Sequence, residues 1–372
     1  MCSSTQNMCS NTYCFVKIST VLYICENEKK YTIKDIAALA GVSKGTVDRV
    51  LHKRGKVSEE ALAKVNRILE DIDYKPNVIA RNLKNNKDYH IGVLLPNPDI
   101  DNYWKRCKEG ILSASQVFMP FNVNVTIVTY DPRSTVSFKK KHQVLLKQNP
   151  DAVLLAPLFY KEAKKAISDY KKLNIPVLTF NNQVSPEIAD GFVGQDLIQS
   201  GRVAAKLLHS MIKTGDITII HINEDITNAL HMQQKEKGFT TYFKELNTSL
   251  FKITTLQIEA KKLQTALPEY LNSHPNTKGL FITTSKSYLV AQTLETANFS
   301  DISLIGYDLL DLNIDYLKSE IITFLINQNP KQQTYLGITK LAEHLIYQNE
   351  IKKKTLLPID IINSENFSLY IQ

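Results

Sequence analysis

From His90 to the C-terminus, short apolar runs rich in β-branched residues alternate with stretches of helical periodicity, and this alternation restricts the fold more than any other feature of the chain. The runs are 91-IGVLLP-96, 123-VNVTIVTY-130, 151-DAVLLAP-157, 176-PVLTFN-181, 216-DITIIHIN-223, 279-GLFITT-284, 303-SLIGYD-308 and 320-EIITFLIN-327. Several are apolar on both faces, as strands are when helices cover a parallel sheet on both sides. Amphipathic stretches such as 104–117, 161–173, 199–213, 233–246 and 286–297 lie between them. The alternation predicts doubly wound parallel sheets, an α/β architecture. Ligands in such sheets bind beyond the carboxyl ends of the strands.

Residues 31–75 are different, with helical periodicity and no strand pattern. Thr32 is placed to cap a helix, and Asp35 three positions on gives a capping-box-like start. Ile33, Ile36, Ala37 and Ala40 form its apolar face, and Gly41 ends it where a left-handed conformation is cheap only for glycine. Ser43 caps a second helix over 44–52 with Val47, Val50 and Leu51 facing inward. Ser58 caps a third, whose first turn holds Glu59 and Glu60 as the macrodipole prefers. Its apolar stripe is Leu62, Val65, Ile68 and Leu69. A helix, a tight glycine turn and a second helix make an all-α helix-turn-helix headpiece. The second helix exposes Lys44, Gly45, Asp48 and Arg49, and an arginine can read the O6 and N7 edge of guanine with two parallel hydrogen bonds. On pattern alone, a generic three-helix bundle with a solvated basic face is the competing reading.

Charge separates the two regions further. Lys29 to Asp88 holds 14 Lys/Arg against 8 Asp/Glu, a net of +6 out of +8 for all 372 residues. A basic segment ahead of a near-neutral one points to a polyanion as partner of the first and to something else for the second. Of five cysteines, Cys2, Cys9, Cys14 and Cys25 precede both regions and only Cys107 lies within them. Without a CxxC pair this is cytosolic usage, not a disulfide framework or a metal site, and no cofactor is expected. The fairly apolar stretch from Cys14 to Cys25 contains Lys17 and is too short to span a bilayer, so no membrane contact is expected and residues 1–28 read as a poorly structured extension. The sequence lacks a phosphate loop, G-x-S-x-G, H-E-x-x-H, or G-x-G-x-x-G after a strand, which argues against an enzyme. A transport-type binding protein accounts for residues 90–372 but not for the basic helices.

The ordered set 40-AGVS-43, 46-TVDRV-50, 57-VS-58 and 74-YKPN-77 closely resembles the headpiece of the lac repressor family (LacI/GalR) of bacterial transcriptional regulators. The resemblance implies that Thr32, Ser43, Lys44, Gly45, Thr46, Arg49 and Asn77 face operator DNA. Its first two recognition positions fall on Lys44 and Gly45, and its recognition arginine on Arg49. Many members carry serine where Asp48 stands, so the operator sequence does not transfer. The resemblance further implies that 77-NVIARNLKNNK-87 is a hinge helix folding on DNA, with Leu83 as a minor-groove wedge that unstacks a base step. The alternative for Leu83 is packing against the neighbouring lobe.

Further on, 193-VGQDLIQSGRVAAKLL-208 and 303-SLIGYD-308 resemble the periplasmic sugar-binding fold that this family uses as a sensor. The implied organisation is a headpiece over 29–75, a hinge over 76–89 and a sensing domain over 90–372. That domain would have one lobe of 90–194 and 328–350 and another of 195–327 and 351–372, with crossings near 194, 328 and 351. The implied ligand residues are Asp101, Tyr103 and Trp104 in 101-DNYW-104, then Asn181, Lys235, Thr284, Asp308 and Gln328. Many sugar-binding relatives have aspartate where Asn181 stands, and an arginine where Lys235 opens K-E-K-G-F. Trp104, the only tryptophan, suits either the flat face of a sugar or a buried core. The protein so implied is cytoplasmic and associated with the nucleoid. It is a homodimer on a near-palindromic double-stranded operator, with a small effector between the lobes, a sugar or sugar derivative.

Overall fold

The computed structural model describes residues 31–51, 55–72, 74, 87–185, 187–222 and 229–371. Contacts divide the chain into two units, Met1–Asn77 and Val78–Gln372. The expected extension over 1–28, and Asn77 and Leu83 with most of the hinge segment, lie outside the described residues.

The first unit has three helices, α1 (Ile33–Ala40), α2 (Lys44–Leu51) and α3 (Glu59–Asp71). Both halves of the capping box form: Thr32 Oγ1 accepts the Asp35 N–H at 3.3 Å, and the Asp35 carboxylate accepts the Thr32 N–H at 2.8 Å. Gly41 takes a φ of 63° and turns its N–H back onto the carbonyls of Ala37 and Ala38. Ser43 Oγ accepts the Thr46 N–H at 3.1 Å, and Ser58 Oγ the Ala61 N–H at 3.4 Å. Ile36, Ala37, Ala40, Val47 and Val65 close the core. A full aliphatic side chain buried there contributes roughly 1.5–3 kcal/mol. In so small a core the caps, typically worth about 1 kcal/mol each, are a large share of what fixes the helix ends.

The second unit contains two six-stranded sheets. The first uses β1 (Tyr89–Pro96), β2 (Val123–Tyr130), β3 (Ala152–Leu155), β4 (Val177–Phe180), β5 (Gly191–Gly194) and β11 (Thr355–Leu356), in the order β2-β1-β3-β4-β5-β11. The second uses β6 (Gly215–Ile222), β7 (Phe251–Ile258), β8 (Thr277–Ile282), β9 (Ser303–Tyr307), β10 (Phe324–Asn327) and β12 (Asp360–Ile362), in the order β7-β6-β8-β9-β10-β12. Strand for strand the two orders are the same. Every pairing is parallel except β10 with β12, which is antiparallel.

Helices cover both faces of each sheet, which is why the central strands are apolar throughout. Ile91, Val93 and Leu95 pack with α4 (Tyr103–Phe118) and α12 (Pro330–Tyr347), while Leu94 packs with α5 (Thr135–Leu146) and α6 (Tyr160–Lys172). In the second lobe α7 (Leu197–Met211) and α8 (Leu230–Glu245) cover one face; α9 (Leu263–Ser273), α10 (Ser287–Thr296) and α11 (Asp311–Lys318) cover the other. A Cβ at Gly201 would lie 2.0 Å from the Lys235 carbonyl oxygen, and one at Gly238 1.9 Å from that of Ile198. The backbones of α7 and α8 therefore touch, and this crossing sets where α8 presents Lys235.

Some boundaries differ from the sequence expectation. β5, β7, β11 and β12 lie outside the eight expected runs. The run 320–327 narrows to Phe324–Asn327, because Glu320 takes a φ of 61° and the Ile322 N–H returns to the Tyr316 carbonyl to close α11. The chain passes between the sheets after β5, after β10 and between β11 and β12. The third passage follows Leu356 rather than lying near 351, because Thr355 pairs with Val193 and Leu356 with Gly194 in the first sheet. Asp360 to Ile362 then pair with β10 in the second.

Candidate nucleic-acid interface and ligand site

In the first unit Lys44, Gly45 and Arg49 are exposed on α2, Thr46 is half-buried, and Val47 is buried in the core. Thr32 and Ser43 are exposed at the capped starts of α1 and α2, and the Ser43 and Thr46 hydroxyls share a hydrogen bond of 2.9 Å. A helix start of this kind presents backbone N–H groups and the positive end of the dipole, which suit a phosphate. The nearest atom to a Cβ built on Gly45 is Ser43 Oγ at 3.8 Å, so nothing within the unit requires a glycine there.

In the second unit a cavity of about 1180 Å³ lies between the lobes, and Asp101, Tyr103, Trp104, Asn181, Lys235, Thr284, Asp308 and Gln328 all line it. Six separate segments supply them, most at the carboxyl ends of strands. Asn181 follows β4 and Asp308 follows β9, equivalent places in the two sheets, and each takes a φ of 66°. Asn181 Nδ2 donates to the Tyr103 hydroxyl at 2.6 Å. Asp308 is 1% exposed; its Oδ1 accepts the Gln328 N–H at 3.1 Å and its Oδ2 accepts Gln328 Nε2 at 2.7 Å. Burial outweighs those bonds and the nearby Lys235 charge, so the carboxyl is pushed up to about 6. Lys235 Nζ donates to the Thr283 carbonyl at 3.0 Å and lies 3.5 Å from the centre of the Tyr307 ring.

Trp104 lies in the core and at the cavity wall at once. It packs edge-on to Tyr103 and Phe180, with ring centres 4.9 and 6.2 Å away, inside the first lobe's core. It also lines the cavity. Asp101 is more occupied than expected: one oxygen accepts the Tyr103 N–H at 3.1 Å, and the other pairs with Lys286 of the opposite lobe at 3.6 Å. Asn182 and His231 make a second contact across the cleft, Nδ2 to Nδ1 at 3.3 Å. Asn182, His231 and Lys286 line the cavity and were not singled out from the sequence, although Asn182 adjoins Asn181 and Lys286 is two residues from Thr284. The wall thus offers a carboxylate acceptor, ammonium and amide donors and an indole ring. Among the described residues, no cluster of His, Cys, Asp or Glu could hold a metal ion, and no helix is long and apolar enough to cross a membrane.

A helix-turn-helix unit joined to a two-lobed domain with a ligand-sized cleft is the build of a ligand-responsive transcriptional regulator. Residues 32–77 match the lacI family of bacterial regulatory proteins, and residues 91–349 match the periplasmic binding protein domain. A solved Bacteroides fragilis protein assigned to the LacI transcriptional regulators is 30% identical with a TM-score of 0.72, over 76% of this chain and 100% of its own. The ribose operon repressor of Halalkalibacterium halodurans is 28% identical over 291 residues, 74% of this chain and 80% of the repressor. The sucrose operon repressor of Streptococcus mutans is 24% identical over 343 residues, 90% of this chain and 98% of the repressor. The chain belongs to the lacI family of regulators.

Proposed function

We propose that the protein is a homodimeric repressor whose operator affinity is set by a small polyhydroxylated effector, a sugar or sugar derivative, held between the lobes. The observation that carries this reading is the convergence of eight side chains from six segments on one cavity, with the buried carboxylate of Asp308 in its wall. Gln328 holds that carboxylate from one side, and its remaining lone pairs suit ligand hydroxyls. A ligand that leaves such groups unmatched incurs their desolvation cost. The relatives named for ribose and sucrose operons support a sugar. Tyr103, Trp104, Asn181, Lys235, Thr284, Asp308 and Gln328 contact the ligand in this reading, and Asp101 acts through Lys286.

On the DNA side, Lys44, Gly45 and Arg49 meet base edges in the major groove, while Thr32, Ser43 and Thr46 meet phosphates. Asn77 and Leu83 act from the hinge segment, Leu83 as the apolar wedge. A near-palindromic operator offers two equal half-sites, which two-fold protein symmetry matches. A protein that works on operator DNA acts in the cytoplasm, at the nucleoid.

The test is an operator titration with and without members of a sugar panel that includes D-ribose and sucrose. The effective sugar should shift wild-type operator affinity by about 5–150-fold, the usual range of coupling between two sites. Asp308→Ala should abolish the shift while keeping sugar-free operator affinity near wild type. An Asp308→Ala protein that responds as wild type does would overturn the assignment of the cleft.

A further inference from the structure

The two halves of the cavity are joined by hydrogen bonds that run through a residue behind its wall. Gln333 lies in the first turn of α12 and is 1% exposed. Its Oε1 accepts the Asn181 N–H at 2.8 Å, and its Nε2 donates to the Gln328 carbonyl at 2.7 Å. Asn181 in turn donates to Tyr103, and Gln328 donates twice to Asp308. The line therefore runs Tyr103, Asn181, Gln333, Gln328, Asp308, from one lobe into the other. Its sense is fixed by chemistry: a backbone N–H only donates and a carbonyl only accepts, so the Gln333 amide has one permitted orientation. Asn181 and Asn329, which flank the link, take positive φ values of 66° and 53°. Such backbone persists where surrounding contacts over-determine it.

We infer that Gln333 is a positioning residue of the ligand site, whose side-chain amide holds Asn181 of one lobe and the Gln328–Asp308 pair of the other in a single register. The inference rests on the effector reading for its functional meaning, but the geometry it claims is testable without ligand. Methionine at 333 keeps the bulk and loses both bonds; asparagine keeps the amide and is too short to reach both partners. In the methionine variant the Gln328 carbonyl loses its donor, and in the asparagine variant the link that holds Gln328 to Asn181 is broken; either way the Gln328 backbone loosens, and its two bonds to Asp308 weaken. Those bonds favour the ionised carboxylate, so their loss raises the Asp308 titration midpoint. Lys235 and Asp101 also act on Asp308, and neither is altered.

The experiment follows the Asp308 side-chain carboxyl by carbon-13 NMR in the full-length, ligand-free protein, with the signal identified by its absence in Asp308→Asn. Gln333→Met and Gln333→Asn should each raise the midpoint by at least about half a pH unit, while Gln332→Met, at an exposed neighbour, should leave it in place. Should Gln333→Met fail to fold, Gln333→Asn carries the test. A wild-type midpoint in the folded Gln333 variants would overturn the inference, because a merely structural glutamine would alter stability and not this titration. In a second arm, Trp104 fluorescence follows D-ribose, with sucrose in parallel. A sugar that perturbs wild type should bind Gln333→Asn about tenfold more weakly, equivalent to about 1.4 kcal/mol. Silence of both sugars on wild type counts against the effector class and leaves the Gln333 inference to be decided by the midpoint.

Discussion

At the scale of single residues, Asp308 shows most directly what a buried acid in the cavity wall costs the fold. Its folded carboxyl is raised from 3.8 to about 6, first by burial. The folded state thus binds this proton more tightly than the unfolded chain does. The stabilisation is fully present below the unfolded value of 3.8 and is lost as pH rises through about 6. A shift of that size corresponds to about 3 kcal/mol. Asp308→Asn should therefore gain stability relative to wild type near neutral pH, by up to that amount, and gain little at a pH below 3.8. Urea denaturation at the two pH values checks this, and an equal gain at both would remove burial as the cause. Arg49 is the corresponding test on the headpiece. Arg49→Ala should cost roughly 1–3 kcal/mol on the cognate site and relax base preference there. Selection of binding sites from random DNA checks it, and undiminished specificity would remove Arg49 from the readout. Eight of the cavity residues were legible because the resemblance marks their positions, and several, such as Asn181, Thr284 and Asp308, also stand where β-rich runs end; Asn182, His231 and Lys286 carry no such mark. Nor was Gln333 legible: a glutamine inside a helix has no motif, and only the tertiary fold reveals that its amide is buried between two lobes.

At the scale of elements, caps and glycines fix the ends and crossings of elements that the hydrophobic runs place. The Thr32 and Asp35 capping box and the Gly41 turn were readable from residue type alone, and the structure realises both. β7 was not, because as an edge strand paired only with β6 it mixes exposed Lys252, Thr255 and Gln257 with half-buried apolar residues. β11 and β12 are two and three residues long, too short for any period to show. The α7–α8 crossing yields a prediction at this scale. Gly201→Ala would drive a methyl group into the Lys235 carbonyl, which is backbone and cannot swing aside. The cost should be about 1–3 kcal/mol, as for other overpacked contacts. The displaced α8 should also take Lys235 off the Tyr307 ring, so the operator should lose its response to sugar. Thermal unfolding and operator titration measured together check both; an unchanged sugar response would show that the crossing does not place Lys235.

At the scale of the whole molecule, the parts read from the sequence divide by their neighbours. The headpiece and the two sheets follow from local patterns, whereas the passage after Leu356 follows from which sheet a two-residue strand joins, a choice that long-range pairing makes. Subunit association belongs to this scale too. Two chains should bind one near-palindromic operator, and sedimentation without DNA should already give the mass of two chains. A single chain on the full operator, with no loss of affinity on a half-site, would exclude the dimer.

Asn181 and Asp308 share a consequence that reaches beyond one effector. Both occupy left-handed backbone in corresponding strands of a repeated strand order. A side chain outside the small set that tolerates this geometry costs about 1–2 kcal/mol before any ligand is considered. Inheritance at these two sites is therefore confined to a short alphabet of glycine, amide and acid. A change between Asn and Asp adds or removes one negative charge while asking nothing new of the main chain. The cleft can hold none, one or two such acids, so a lineage can change the charge it offers an effector by single substitutions that leave the backbone conformation as it is, with burial of the acid as their cost.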